Sequence, residues 1–148
     1  MGTAGYILTI DQGTTGTRAG LVDEFGQLLW STYREITPRY PRPGWIEHDP
    51  NEIMDSVYST IEALFDDFEI SPESIVSLGL TNQRETTILW DKNTGVPAYN
   101  SISWQCRRTT DICNNLIENE YSDFVRNITG LAIDPYFSAS KIQWILKN

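Results

Sequence analysis

Near the N-terminus, Asp11-Gln12-Gly13-Thr14-Thr15-Gly16-Thr17-Arg18 puts an acid, small hydroxyl residues, glycines and an arginine into one short run. Such a run can hold a phosphate. Glycine lets an oxyanion approach the backbone closely. Successive N–H groups form an anion-binding nest, and threonine hydroxyls add donors. Asp11 at a strand end can hold Mg²⁺ directly or through water. Arg18 can neutralise a phosphate with a two-pronged hydrogen bond. The run is not a Walker A loop, because no Gly-Lys-Ser/Thr follows it. The same residues also make an ordinary polar hairpin turn.

A second chemical run is Thr81-Asn82-Gln83-Arg84-Glu85-Thr86, at the C-terminal end of a predicted parallel strand, where open α/β sheets bind ligands. A carboxylate accepts from vicinal hydroxyls while a guanidinium donates to others, so Arg84 with Glu85 suits a small polyol. Trp104 and Tyr136 can wall its CH face. A solvated Arg84–Glu85 pair and core aromatics are the plainer alternatives. His48, beside a helix start, reads as structural. Cys106 and Cys113 read as core residues sharing one helix face, too few for a disulfide scaffold or a zinc site. They fit a reducing, cytoplasmic compartment.

The elements that must position these runs follow from patterning. Tyr6–Ile10, Arg18–Asp23 and Gln27–Tyr33 read as strands joined by short turns, hence an antiparallel meander. A proline-rich passage with Pro38, Pro41, Pro43 and Pro50 is extended loop. Asp49-Pro50 with Glu52 is a helix start of the capping-box type. Ile53, Val57, Ile61, Leu64, Phe65 and Phe68 then recur at helical spacing, with Glu62, Asp66 and Asp67 opposite. Ile75–Leu80 is a parallel crossover strand, and Thr87–Trp90 a further strand before a turn at Lys92–Gly95. Helical spacing is predicted from Trp104, with Ile112, Cys113, Leu116 and Ile117 on one face, then over Ser122–Ile128 and Ser138–Leu146. The fold class is α/β: a meander, a crossover helix and a parallel strand.

The chain has 148 residues, of which 40% are hydrophobic and 11% aromatic, enough for a real core and too apolar for disorder. Twenty acidic against 11 basic residues give a net charge of −9, which argues against nucleic acid and against polybasic attachment to membranes. No apolar run is long enough to span a bilayer, and the N-terminus has no signal-peptide pattern.

Five segments in a fixed order carry a resemblance to the FGGY carbohydrate kinase family. They are Asp11-Gln-Gly-Thr-Thr15, Pro41-Arg-Pro-Gly-Trp-Ile-Glu-His-Asp-Pro50, Thr81-Asn-Gln-Arg-Glu-Thr-Thr87, Trp104-Gln-Cys-Arg-Arg-Thr109, and Thr129-Gly-Leu131 with Asp134-Pro-Tyr-Phe-Ser138. The Trp104 and Tyr136 blocks favour the glycerol-phosphorylating branch over the sugar kinases. The resemblance implies an actin-like ATPase, or ribonuclease H-like, fold with two lobes, residues 1–148 being the N-terminal domain of a truncated chain whose C-terminal lobe is absent. It implies transfer of the γ-phosphoryl of ATP to the terminal hydroxyl of glycerol, giving sn-glycerol 3-phosphate. Asp11 then matches the acid near Mg²⁺, Thr14, Thr15 and Gly16 the nucleotide phosphate loop, and Arg18 the phosphate-facing arginine. Arg84, Glu85 and Tyr136 match polyol ligands, and Trp104 a wall. The family often has Ser-Ser where this chain has Gly16-Thr17, so a backbone contact is retained there and a side-chain contact is not. The family's catalytic base is an aspartate downstream of Asn148, so these residues alone are expected to have little kinase activity. A cytoplasmic homo-oligomer is expected for the full-length protein. The competing readings are a kinase for another polyol or sugar, a non-catalytic nucleotide-binding module on the same fold, and a ribonuclease H-type nuclease, which the acidic charge disfavours.

Overall fold

Short apolar runs build the first strands. In the computed structural model, which describes residues 5–148, these are β1 (Tyr6–Gln12), β2 (Gly16–Val22) and β3 (Leu28–Glu35). The domain assigned from sequence also includes residues 1–4, which lie outside the described residues. β1 pairs antiparallel with β2, and β2 with β3. The helix α1 (Pro50–Phe68) crosses to β5 (Ile75–Asn82), which pairs parallel with β1, giving the order β3-β2-β1-β5. The predicted meander and crossover are both present. β1 and β3 run two residues beyond their predicted C-terminal ends, and β2 starts two residues earlier, so Gly16 and Thr17 belong to β2 and not to the loop.

The chain forms two compact units. One comprises the residues up to Thr37 with Asn51–Gln83, and the other Pro38–Pro50 with Arg84–Asn148. In the first, Leu8, Ile10, Ala19 and Leu21 turn to one face of the sheet and bury against Leu64 of α1. Val57, Ile61 and Phe68 of the same helix face pack around them, while Glu62, Asp66 and Asp67 are exposed. The helix also buries two hydroxyls that the apolar pattern does not reveal. Ser56 Oγ lies 2.6 Å from Thr17 Oγ1 of β2, and Thr60 presents its carbonyl to Thr32 Oγ1 of β3 at 2.6 Å. Glu52 Oε1 accepts from the Thr37 N–H at 2.8 Å, tying the first helical turn to the chain leaving β3.

The second unit has little regular sheet. β4 (Glu47–His48) and β6 (Ser101–Ile102) pair antiparallel, and neither was legible in a proline-rich or irregular stretch. The predicted strand Thr87–Trp90 is instead a pair of isolated bridges, Thr87 to Ile102 and Trp90 to Pro97. Pro97 has no N–H to extend a ladder. The turn after it is as predicted: Asp91 Oδ1 accepts from the Asn93 and Thr94 N–H groups, and Gly95 takes φ 73°.

The helices are α2 (Thr110–Glu118), α3 (Ser122–Thr129) and α4 (Ser138–Lys147). The helix predicted from Trp104 therefore begins later. The Ser103 and Arg107 N–H groups bond the carbonyls of Ile46 and Gly44, so the backbone there is held by the 44–46 segment and not by a helical ladder. Cys106 lies in that turn and Cys113 on α2; both are buried and free, as core residues, but they do not share a helix. Ile117, expected on the packed face of α2, is exposed.

A buried ion pair anchors this unit. Arg108 Nη2 lies 2.6 Å from Glu47 Oε1, and Tyr99 and Asn100 donate to the same carboxylate at 3.1 and 2.7 Å. The guanidinium stands 4.1 Å from the ring of Trp45 and 4.7 Å from that of Trp144. Among the described residues no helix is long and apolar enough to cross a membrane.

Candidate functional site

The phosphate-type candidates all belong to the first unit. The loop between β1 and β2 is residues 13–15, closed by the Gly13 N–H on the Gly16 carbonyl at 2.9 Å. Thr14 and Thr15 therefore stand at its tip, and Thr15 Oγ1 lies 3.3 Å from the Tyr33 hydroxyl. Gly16 is buried in β2. A Cβ there would sit 2.4 Å from the Tyr33 hydroxyl and 2.5 Å from the Arg34 carbonyl, so glycine serves the approach of β3. Register then places the charged groups. Asp11 of β1 is opposite Arg18 of β2, which is opposite Tyr33 of β3, and Asp11 is also level with Thr81 of β5. Directly opposed residues share a sheet face. All four are exposed, on the face turned away from α1. Arg18 rests on β3, with Nη1 3.2 Å from Ser31 Oγ and its guanidinium 5.3 Å from the Tyr33 ring centre.

In chemical terms this row offers groups of the kind a polyphosphate with its metal would need: hydroxyls at a loop tip, one guanidinium and one exposed carboxylate at a strand's C-terminal end. Among the described residues no cluster of three or more acid, histidine or cysteine side chains could cage a metal. A single carboxylate suits Mg²⁺, which keeps waters and takes its other ligands from phosphates. The carboxyl ends of β1 and β5 are locked together at this point. The Gln83 N–H bonds the Gln12 carbonyl at 2.7 Å, and Gln83 Nε2 bonds Gln12 Oε1 at 3.2 Å.

The polyol-type candidates all belong to the second unit. Arg84 is exposed, and among the described residues it forms no ion pair with Glu85. Glu85 is half-buried and holds φ 67°. The other non-glycine residues with positive φ, Glu69 and Glu120, follow helix ends, where a left-handed residue is a normal stop. Glu85 follows a strand, and strain of about 1–2 kcal/mol at such a residue marks a position that its surroundings enforce. Ser138 Oγ is 3.4 Å from the Glu85 carboxylate. The next residue but one, Thr86 being between, enters the Thr87–Ile102 bridge. Thr86 Oγ1 accepts from the Trp104 N–H at 3.2 Å. The Trp104 and Tyr136 rings meet edge to face at 5.8 Å. Tyr136 in turn has its N–H on Asp134 Oδ1 at 2.7 Å and its carbonyl on Lys141 Nζ.

Glu85, Trp104 and Tyr136 are thus brought into one neighbourhood by named contacts, with Arg84 beside them in the chain. Three participants were not singled out from sequence. Ser138 closes the Asp134–Ser138 segment but carries no distinctive pattern of its own. Thr86 acts through its hydroxyl on a distant backbone. Lys141, on a helix with polar neighbours, reads as solvated, yet it is fully buried. Burial pushes its ammonium down to about 8, against the opposing pull of Cys106, Glu85, Cys113 and Asp134. Burial pushes the Cys113 thiol up, which disfavours its thiolate form. His48 is buried on β4.

Residues 6–148 match the N-terminal domain of the FGGY family of carbohydrate kinases. Over 143 residues the chain is 54% identical to glycerol kinase 2 of Thermotoga maritima, covering 97% of this chain and 29% of that protein. Among solved structures, Plasmodium falciparum glycerol kinase with ADP superposes with TM-score 0.90 at 33% identity, over 100% of this chain and 30% of that one. Gluconate kinase from Lactobacillus acidophilus superposes with TM-score 0.87 at 26% identity, over 98% and 28%. The chain spans about 29% of the length of the curated relatives it matches.

Proposed function

The chain belongs to the FGGY family of carbohydrate kinases, with the actin-like, ribonuclease H-like α/β fold, and from that premise we propose that the full-length protein phosphorylates glycerol with ATP. The γ-phosphorus of ATP bonds to the terminal hydroxyl oxygen of glycerol, its bond to the β,γ-bridging oxygen breaks, and ADP departs. The products are ADP and sn-glycerol 3-phosphate. The hydroxyl proton goes to a carboxylate base, which we place beyond Asn148. Phosphoryl transfer asks chiefly for positioning and charge stabilisation.

In this reading the loop-tip residues Thr14 and Thr15, with the backbone at Gly16, hold the nucleotide phosphates and Arg18 neutralises them. Asp11 would hold Mg²⁺, and the ion when bound would supply further neutralisation of phosphate charge. Arg84 donates to glycerol hydroxyls, Glu85 accepts from them, Tyr136 adds a hydroxyl, and Trp104 walls the carbon face. A cytoplasmic setting is supported by two buried free thiols.

The observation that carries the proposal is the Glu85–Trp104–Tyr136 neighbourhood. It pairs a strained, half-buried carboxylate with two aromatic rings, which is what a small triol needs: acceptors for its hydroxyls and a flat apolar wall. Kinetics of Arg84→Ala in the full-length protein test it. Losing hydroxyl donors that grip ground state and transition state alike should raise the glycerol KM about tenfold or more while leaving the ATP KM nearly unchanged. Unchanged glycerol kinetics would count against the assignment.

A further inference from the structure

Lysine is almost never fully buried unless its charge is met. Lys141 of α4 has 0% of its surface exposed, and among the described residues no carboxylate lies within ion-pair distance of it. Its Nζ instead donates to the carbonyls of Pro135 at 2.7 Å, Phe137 at 3.2 Å and Tyr136. An ammonium has three donors, and here consecutive carbonyls take the place of its water. A segment whose successive carbonyls converge on one atom is wrapped around that atom. Tyr136 sits at its centre, held at both backbone polar groups: its N–H on Asp134 and its carbonyl on Lys141. Its ring is thereby set edge to face against Trp104 at 5.8 Å and against Phe137 at 5.1 Å.

We infer that Lys141 is a positioning residue for the polyol subsite: it holds the 135–137 segment so that the Tyr136 ring stands against Trp104 where glycerol binds. The inference rests on the polyol reading of Tyr136 above. An uncharged side chain of similar length would take this donor from all three carbonyls, the buried one of Pro135 included, and the segment would have to move. Deprotonation of Lys141 has a milder version of the same effect, since a neutral amine donates two hydrogen bonds in place of three. Burial brings that event down to about pH 8, with Cys106, Glu85, Cys113 and Asp134 the charged and titratable groups that face it.

The test uses the full-length protein with Lys141→Met, Tyr136→Ala and the double variant, and reads KM for glycerol and for ATP separately. Lys141→Met should raise the glycerol KM about tenfold, move the ATP KM by less than about twofold, and add less than about twofold once residue 136 is alanine, because residues acting through one contact are not additive. A merely structural lysine would raise both KM values together, or cost as much in the Tyr136→Ala background; either result overturns the inference while leaving the polyol reading intact. A glycerol KM unchanged by Tyr136→Ala overturns the polyol reading and the inference with it. Should Lys141→Met not fold, the pH profile decides. The glycerol KM of the unsubstituted protein should rise above about pH 8 and that of Tyr136→Ala should not. A flat profile in the unsubstituted protein overturns the inference.

Discussion

At the scale of single residues, Glu47 shows how charge is accommodated inside this chain. Burial by itself would raise its carboxyl. Hydrogen bonds from Asn100, Arg108 and Tyr99, with the Arg108 charge, outweigh that and hold it below its ordinary 4.5. A carboxyl with a depressed folded value contributes stability that is present above the unfolded value and lost as pH falls through the folded one. Glu47→Gln leaves the Arg108 charge buried without its counterion, which costs about 3–5 kcal/mol at neutral pH. Urea melts should therefore show a large loss for the variant at pH 7, with the difference from the unsubstituted chain shrinking below about pH 4.5, the ordinary value. A difference that stays constant through the acid range would mean that the carboxylate's charge is not what stabilises the pair.

At the scale of elements, the β2–β3 contact decides the shape of the phosphate-type loop. Gly16 lets the Tyr33 hydroxyl and the Arg34 carbonyl approach β2, and the carbonyl is backbone that cannot swing aside. Gly16→Ala should destabilise the chain by about 1–3 kcal/mol, the range for overpacking, and calorimetry should record the fall in Tm. An unchanged Tm would mean that β3 can move away without cost. The meander, α1 and the crossover were legible because each runs long enough for its period to show, as Leu8, Ile10 and Leu64 do. The 84–109 stretch was not. β4 and β6 are two residues each and have no period to read. Around Trp104 the apolar spacing looked helical, but the Arg107 N–H goes to Gly44, a pairing between distant residues that no local pattern announces. The site divided in the same way. Arg84, Glu85, Trp104 and Tyr136 stand in short recognisable runs, whereas the setting of Lys141 shows only when a helix places its Nζ among three carbonyls.

At the scale of the whole molecule, a net charge of −9 coexists with a local row of phosphate-type groups, because Arg18 is set among Asp11, Tyr33 and Thr81 by strand register and not by bulk charge. The chain belongs to a family of carbohydrate kinases, and its similarity extends to proteins named for glycerol and for gluconate. Those substrates differ in length and charge, so the choice among them is the sharpest question about function. The direct measurement is ATP-dependent phosphorylation by the full-length protein of glycerol beside xylulose, gluconate and erythritol, each at several concentrations. The expected result is a kcat/KM for glycerol at least about a hundredfold above the others, a margin that unpaired polar groups in a wrongly filled subsite readily produce. Equal or better turnover of a sugar or longer polyol, or ATP binding without transfer to any of them, would contradict the account.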